Sequence, residues 1–151
     1  MKILLNEFVI DRAAGSPKDR ASILDLVEKI KDHKSITVLL SPELMATYYR
    51  KAKGLERELK KLPKAIKALI LLIQDCNKAQ IANQLANIEL PQSLEHDREI
   101  IATAAAFGSN KLLITTDDDL IAALIEESIA ANHHIEPLKP ENALQRIQNS
   151  S

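Results

Sequence analysis

The chain has 151 residues, of which 46% are hydrophobic, and this combination is typical of one folded domain with a single core. The 20 basic and 21 acidic residues nearly cancel, so the overall charge favours no class of partner. Aromatic residues make up only 3% of the chain and none is Trp, which argues against a binding surface built on ring stacking.

Cysteine content, apolar runs and glycines exclude further classes. Cys76 is the only cysteine in the sequence, which excludes an intramolecular disulfide and a thiolate zinc site and predicts a cytoplasmic protein. Apolar runs such as 68–73 are far shorter than the roughly 20 residues that cross a bilayer, and residues 1–7 do not form a signal peptide. Three glycines form no phosphate-binding loop, so no nucleotide cofactor is expected.

The first part of the chain alternates predicted strands and helices. An apolar run over 3–10 predicts a strand, and Ser16 and Pro17 then supply an N-cap and a first helical residue. Ser41 and Pro42 repeat that signal. The predicted elements are a strand at 3–10, a helix from 17 to about 32, a strand at 35–40 and a helix from 42 that Gly54 ends.

Helical periodicity continues after Gly54. Apolar residues recur every three or four positions over 55–73, and Pro63 is expected to divide this stretch into two helices. Residues 75–91 have a weak apolar pattern and are assigned to a loop with room for a short helix. The remaining predicted elements are a helix at 96–107 with Gly108 as its C-cap, a strand at 111–115, a helix at 117–131, a strand at 134–138 and a terminal helix from Pro140.

This alternation predicts an α/β fold in which residues 1–151 form one three-layer domain with a central, mainly parallel sheet flanked by helices. Parallel neighbours need crossover connections, and helices provide them on the two faces of the sheet. Ligands of such sheets bind beyond the carboxyl ends of the strands. Candidate functional residues are therefore those that follow each predicted strand.

Three adjacent acids, Asp117, Asp118 and Asp119, follow the predicted strand at 111–115. Carboxylates grouped at a strand end can bind a divalent cation. A structural explanation is also open, because Thr116 can cap the next helix and acids in its first turn interact favourably with the helix dipole. Taken alone, the acidic run favours a helix cap over a metal site.

Five blocks of the sequence together carry a family resemblance. They are residues 1–6 (MKILLN), 41–44 (SPEL), 97–104 (DREIIATA), 112–117 (LLITTD) and 135–141 (IEPLKPE). In this order the blocks resemble the PIN-domain family of metal-dependent nucleases, which are compact α/β domains with a central parallel sheet. The third and fourth blocks are the most specific, and the resemblance spans nearly the whole chain.

The resemblance implies hydrolysis of single-stranded RNA at a cluster of acids that holds Mg²⁺ or Mn²⁺. Two of the family's four acids correspond to Asp97 and Asp117, which are the implied catalytic residues and metal ligands. Asn6 and Thr47 stand where the family has the other two acids, which lowers the expected affinity for a cation.

Other side chains could complete the implied metal shell. Asn6 would contribute its amide oxygen, and Glu43 and Asp119 would contribute carboxylates. Glu43 is preferred to Glu7 as a substitute acid, because it shares a helix face with Thr47, whereas Glu7 follows Asn6 directly and adjacent strand residues point to opposite sides.

Basic residues cluster between positions 50 and 67, where eight of them face only Glu56 and Glu58. The local charge of +6 (8 − 2) leaves the rest of the chain at −7 (−1 − 6). Six of these residues recur at helical spacing and are here called the basic stripe: Arg50, Lys53, Arg57, Lys60, Lys64 and Lys67. The stripe predicts either binding of a phosphate backbone or a solvated helix face.

Three functions remain open at this stage. The first is a PIN-type ribonuclease, with an antitoxin-like protein partner if the chain is the toxin of a toxin–antitoxin pair, or with a second copy as a homodimer. The second is a PIN-like module that binds RNA or a protein without cleavage. The third is an unrelated α/β domain whose acids cap helices.

Overall fold

The computed structural model describes residues 1–75 and 77–150, and Cys76, for which the sequence suggests no partner, lies outside the described residues. The described strands are β1 (Lys2–Leu5), β2 (Thr37–Leu40), β3 (Ala79–Ile81), β4 (Lys111–Ile114) and β5 (Ile135–Leu138). The described helices are α1 (Glu7–Ala13), α2 (Pro17–Asp32), α3 (Pro42–Leu59), α4 (Lys64–Gln74), α5 (Arg98–Ala105), α6 (Asp118–Glu126), α7 (Ile129–Asn132) and α8 (Pro140–Ser150), with a 3₁₀ helix at Gln92–Asp97.

The five strands form one parallel sheet in the order β3-β2-β1-β4-β5. Ile3 of β1 pairs with Val38 of β2 on one side and with Leu112 of β4 on the other. The chain therefore places β2 and β3 on one side of β1 and then crosses over to place β4 and β5 on the other side. Such a reversal leaves a crevice at the carboxyl ends of the two central strands, where ligands of α/β proteins bind.

Helices cover both faces of this sheet. All four residues of β4 are buried, and Ile3 and Leu4 of β1 are fully buried. Since successive strand residues point to opposite faces, consecutive buried residues require packing on each side. The predicted α/β class with a central parallel sheet flanked by helices is confirmed.

The first predicted strand was too long. β1 ends at Leu5, and residues 7–13 form α1, whose first turn is anchored by the Val9 amide donating to the carbonyl of Asn6 at 3.0 Å. An unbroken apolar run fits a buried strand and a buried helix equally well, so its pattern could not separate them.

Two predicted helix ends at glycine were also wrong. α3 continues through Gly54 to Leu59, and its C-cap is Lys60 at φ 60°, in the left-handed region where glycine is more common. α5 ends at Ala105 rather than at Gly108. The predicted division near Pro63 is confirmed, because α4 begins directly after this proline.

Two short elements differ from the prediction. Ala79–Ile81, predicted as a loop, forms β3 at the edge of the sheet, where Val38 pairs with Ala79. Three partly exposed residues carry too little apolar pattern to indicate a strand. The helix predicted at 117–131 is divided into α6 and α7 by Ser128, which adopts φ 60°.

Candidate functional site

The carboxyl ends of β1 and β4 meet at the switch point of the sheet. Asn6 directly follows β1. Its backbone amide donates to the carbonyl of Ile114 at 2.9 Å, which extends the hydrogen bonding between β1 and β4 by one residue. Asn6 is buried, while Asp117 lies three residues beyond Ile114. The sheet therefore brings two of the predicted site residues to the same crevice.

A cavity of about 110 Å³ opens beside Asn6, and we call it the acidic pocket. Its lining residues come from the turn after β1, from α1, α3 and α5, and from the 3₁₀ helix: Asn6, Glu7, Leu44, Thr47, Arg50, His96, Asp97, Glu99 and Ile100. Three carboxyl groups face a single guanidinium in this lining. With all three ionised the pocket is negative, as the family resemblance implies.

Asp97 is the most buried acid of the pocket, with 6% of its surface exposed. It is the last residue of the 3₁₀ helix, and its Oδ2 lies 3.0 Å from Nε2 of His96. Burial raises the pKa of Asp97, His96 opposes this rise, and the charges of Asp117 and Glu7 add to it. Asp117 itself does not line the acidic pocket.

Asp117 is the N-cap of α6. Its Oδ1 accepts hydrogen bonds from the amides of Asp119 at 3.0 Å and Leu120 at 3.2 Å, and its own amide donates to Thr115 Oγ1 at 3.1 Å. A structural role therefore exists for this acidic run, although the cap is Asp117 and not Thr116. Asp119 is exposed and does not line the acidic pocket.

Thr47, which the resemblance aligned with an acid of the PIN family, forms hydrogen bonds within the pocket. Its hydroxyl donates to Oε1 of Glu99 and accepts from Nη2 of Arg50 at 3.4 Å. Glu99 was not singled out by sequence reasoning, although it lies two residues after Asp97. Its only sequence signal was membership of the block at 97–104.

The two substitute acids lie in different places. Glu43 is exposed in the first turn of α3 and does not line the acidic pocket. Glu7 does line it. Strand alternation does not apply here because β1 ends at Leu5, so Asn6 lies in the turn after the strand and Glu7 is the first residue of α1.

Tyr48 contacts the end of β1, next to the pocket residue Asn6, and it was not identified from the sequence. Its buried hydroxyl donates to the carbonyl of Leu5 at the end of β1. Burial raises the pKa of Tyr48, and the charges of Glu99 and Glu7 raise it further. A neutral phenol therefore fixes the end of β1 against α3, and no sequence pattern identifies such a contact.

The geometry does not fit a preformed Mg²⁺ or Mn²⁺ site. Within residues 1–75 and 77–150, no group of three His, Cys, Asp or Glu side chains is placed to hold a metal ion. The acids instead have protein partners: Asp97 contacts His96, Glu99 accepts from Thr47, and Asp117 caps α6. Oxygen ligands used in this way are not gathered around one cation position.

The basic stripe is exposed along its whole length. Arg50 lines the acidic pocket, whereas Lys64 and Lys67 line a groove between α2 and α4 that comprises two neighbouring cavities of about 610 and 480 Å³. The first cavity is also lined by Arg20 and Lys61, and the second by Lys31 and by the acids Glu28 and Asp75. The stripe is therefore divided between α3, which carries Arg50, and α4, which carries Lys64 and Lys67.

Comparison with protein families, curated proteins and solved structures finds no match to this chain. The described helices include none that is both long and apolar enough to cross a bilayer. The acidic pocket, the basic stripe and the groove between α2 and α4 are therefore the features that bear on function.

Proposed function

We propose that the chain is a PIN-like domain that binds single-stranded RNA along the basic stripe without depending on a metal ion. One observation carries this proposal: every side chain of the stripe is exposed, with Arg50 at the acidic pocket and Lys64 and Lys67 in the groove between α2 and α4. A phosphate backbone needs such a row of cations, because each contact releases counterions from the nucleic acid.

The expected recognition is by backbone rather than by base. Lys and Arg side chains contact phosphate oxygens irrespective of sequence, whereas sequence is read through base edges or stacking. Neither Tyr49 nor any other aromatic side chain lies among the residues of the stripe or the groove. RNA of different sequences is therefore expected to bind with similar affinity.

The contacts inside the acidic pocket favour binding without cleavage. Thr47 joins Glu99 to Arg50, so the side chain at the position of a family acid serves a hydrogen-bonded network. Asn6 likewise supplies no charge. A pocket organised in this way confines the phosphate backbone to the stripe, since phosphates are repelled by Glu7, Asp97 and Glu99.

Metal-dependent ribonuclease activity is the second candidate, and one observation favours it. The charges of Asp117 and Glu7 act on the buried Asp97, and a divalent cation would relieve that repulsion. In that case Asp97, Asp117 and Asn6 would hold Mg²⁺ or Mn²⁺, and rearrangement would be needed to recruit Glu43 or Asp119. The ion would supply an activated water and neutralise the phosphate.

A binding experiment tests the first candidate. Single-stranded RNA is titrated in EDTA at several salt concentrations with the parent and with an Arg50→Gln, Arg57→Gln, Lys64→Gln variant. Three lost phosphate contacts should lower the magnitude of the slope of log K against log salt by about 2, at roughly 0.7 per contact for single strands. The matched control replaces Lys18, Lys29 and Lys34, which are exposed outside the stripe, with Gln.

Cleavage separates the two candidates. RNA that binds in EDTA and stays intact with Mn²⁺ supports the binding module, whereas Mn²⁺-dependent shortening that Asp97→Asn abolishes supports the ribonuclease. If the stripe variant had the same slope of log K against log salt as the parent, the stripe would not contact RNA in either candidate function. An antitoxin-like partner and a homodimer stay predictions, and the mass of the purified protein in solution tests the second.

A further inference from the structure

The amino edge of the sheet, opposite to the acidic pocket, carries a second cavity. It has a volume of about 440 Å³ and is here called the amino-edge cavity. Its polar side chains include Lys2, Lys111, His134, Glu136 and Arg146, and Leu112 and two alanines of α7 form an apolar part of the lining. Pockets of several hundred Å³ with a few convergent polar groups are typical of small-ligand sites.

Sheet register places the two lysines side by side. Ile3 of β1 pairs with Leu112 of β4, so Lys2 and Lys111, which precede them, are neighbours across the same parallel ladder. Residues level with each other in a sheet point to the same face. Two like charges directly beside each other destabilise a strand pair unless an anion lies between them.

Lys111 is unusually buried for a lysine, with 3% of its surface exposed. Its ammonium group donates to the carbonyl of His133, and it has no carboxylate partner within the described part of the chain. Burial lowers the pKa of Lys111, and the charge of Lys2 lowers it further. A buried ammonium without a counterion is energetically costly, so an anion in the cavity would stabilise the fold.

The charges of the cavity do not balance. Arg146 forms an ion pair with Glu136, which neutralises both groups. Lys2 has no acidic partner among residues 1–75 and 77–150, and neither has Lys111. The two lysines therefore leave unpaired positive charge in the cavity, which suits a phosphate monoester, whose charge approaches −2 at neutral pH.

We propose that the amino-edge cavity binds a phosphate monoester group, held by Lys2 and Lys111. Arg146 lies at the rim of the cavity as a further donor. The apolar lining at Leu112 gives an organic substituent a surface to pack on. This site is at the other end of the sheet from the acidic pocket and does not rest on the proposed binding of RNA.

The test uses the full chain and calorimetric titration with inorganic phosphate and with a nucleoside monophosphate, at constant ionic strength. Binding should also raise the melting temperature, since a ligand of the native state stabilises it. Lys2→Gln and Lys111→Met should each weaken binding roughly tenfold, the equivalent of losing one charged hydrogen bond. The matched control is Lys18→Gln, which removes an exposed charge outside the cavity.

The outcomes decide the proposal. No binding of either ligand, or equal binding by the parent and Lys2→Gln, overturns it, and the Lys2 variant keeps the test valid if Lys111→Met does not fold. A rise in melting temperature that chloride reproduces at equal ionic strength also overturns it. Tighter binding of the nucleoside monophosphate than of inorganic phosphate supports a free nucleotide as the source of the phosphate.

A phosphorylated RNA end is the other source of the same group. Oligonucleotides with a 5′-phosphate and with a 5′-hydroxyl are compared in the parent and in Lys2→Gln. Preference for the 5′-phosphate that disappears in the Lys2 variant supports an RNA end as the ligand. If the stripe variant loses all RNA binding while inorganic phosphate still binds, the proposed function and this site are shown to be separate.

Discussion

Charged side chains at the two ends of the sheet differ in whether the protein supplies their partners. At the carboxyl end, acids come from helix starts and turns, and Asp97, Glu99 and Asp117 each have a protein partner. At the amino end, Lys2 and Lys111 come from adjacent strands, and neither has an acidic partner within the described residues.

This difference follows from where each set of side chains is attached. Helix starts offer backbone amides and nearby side chains, so an acid placed there finds hydrogen-bond donors locally. Strand residues are held in fixed positions by the ladder and cannot turn away from a neighbour of the same charge. The acidic pocket is therefore largely satisfied by the protein, whereas the amino-edge cavity is completed only by a ligand.

Introducing acids at the two positions that the PIN resemblance assigns to acids should change the carboxyl end of the sheet most, and it produces the largest expected effect. Asn6→Asp with Thr47→Glu adds carboxylates beside Asp97 and Glu99 and removes the bond from Thr47 to Glu99. In EDTA the variant should be less stable than the parent, because the added charges repel. With free Mn²⁺ at about 100 times its dissociation constant, the variant should gain about 2.7 kcal/mol.

Thermal melts with EDTA and with Mn²⁺ measure both parts of that prediction. The matched control is Asn83→Asp with Gln84→Glu, which adds the same two charges at exposed positions outside the pocket. An equal response of the two variants to Mn²⁺ would show that positions 6 and 47 are not remnants of a metal site.

Removing the Tyr48 hydroxyl tests whether the carboxyl end is held together by its own hydrogen bonds. Tyr48→Phe leaves the buried carbonyl of Leu5 without this donor, which should lower the free energy of unfolding by roughly 1 to 2 kcal/mol. Phosphate binding at the amino-edge cavity should not change. Urea unfolding measures the loss, and Tyr49→Phe is the control, because the Tyr49 hydroxyl forms no hydrogen bond with the described residues.

Neutralising Asp97 should have the smallest effect on the free energy of unfolding, and that effect should depend on pH. The fold raises the pKa of Asp97 above its ordinary value of 3.8, so the native state binds the proton more tightly than the unfolded chain. The stability of the parent should therefore fall, as far as this group is concerned, when the pH rises above about 3.8. Asp97→Asn removes that dependence.

The measurement is the free energy of unfolding of parent and variant in EDTA between about pH 3 and pH 7. The free energy of unfolding of Asp97→Asn should rise relative to that of the parent as the pH rises. The difference should stay below about 1 kcal/mol, because the variant also weakens the contact with His96. A difference that stays constant over this range would contradict the view that burial penalises the carboxylate.

Sequence pattern predicted much of the architecture because that architecture depends on local chemistry. Ser16 with Pro17, and Ser41 with Pro42, mark the starts of α2 and α3, where each serine side chain caps its helix as predicted. Alternation of strands with helices requires crossover connections, so it also predicted a parallel sheet. The ends of elements were less well predicted, as Gly54 within α3 illustrates.

The acidic pocket was predicted only in part, for a physical reason. Asn6 and Asp97 stand at element boundaries that the sequence marks, whereas Glu7 and Glu99 reach the pocket through the packing of α1 and α5. Their contacts span large sequence separations, such as the bond between Thr47 and Glu99. No periodic pattern encodes a contact of that kind.

Local sequence patterns were enough to predict the α/β class, the parallel sheet, the acids after the strands and the presence of the basic stripe, because hydrophobic periodicity and helix caps act over a few residues. The packing of the whole fold was needed to show that Glu7 lines the pocket in place of Glu43, and that Lys2 and Lys111 are neighbours. Strand order and register are set by the burial of the whole core, and they alone determine which distant charges meet.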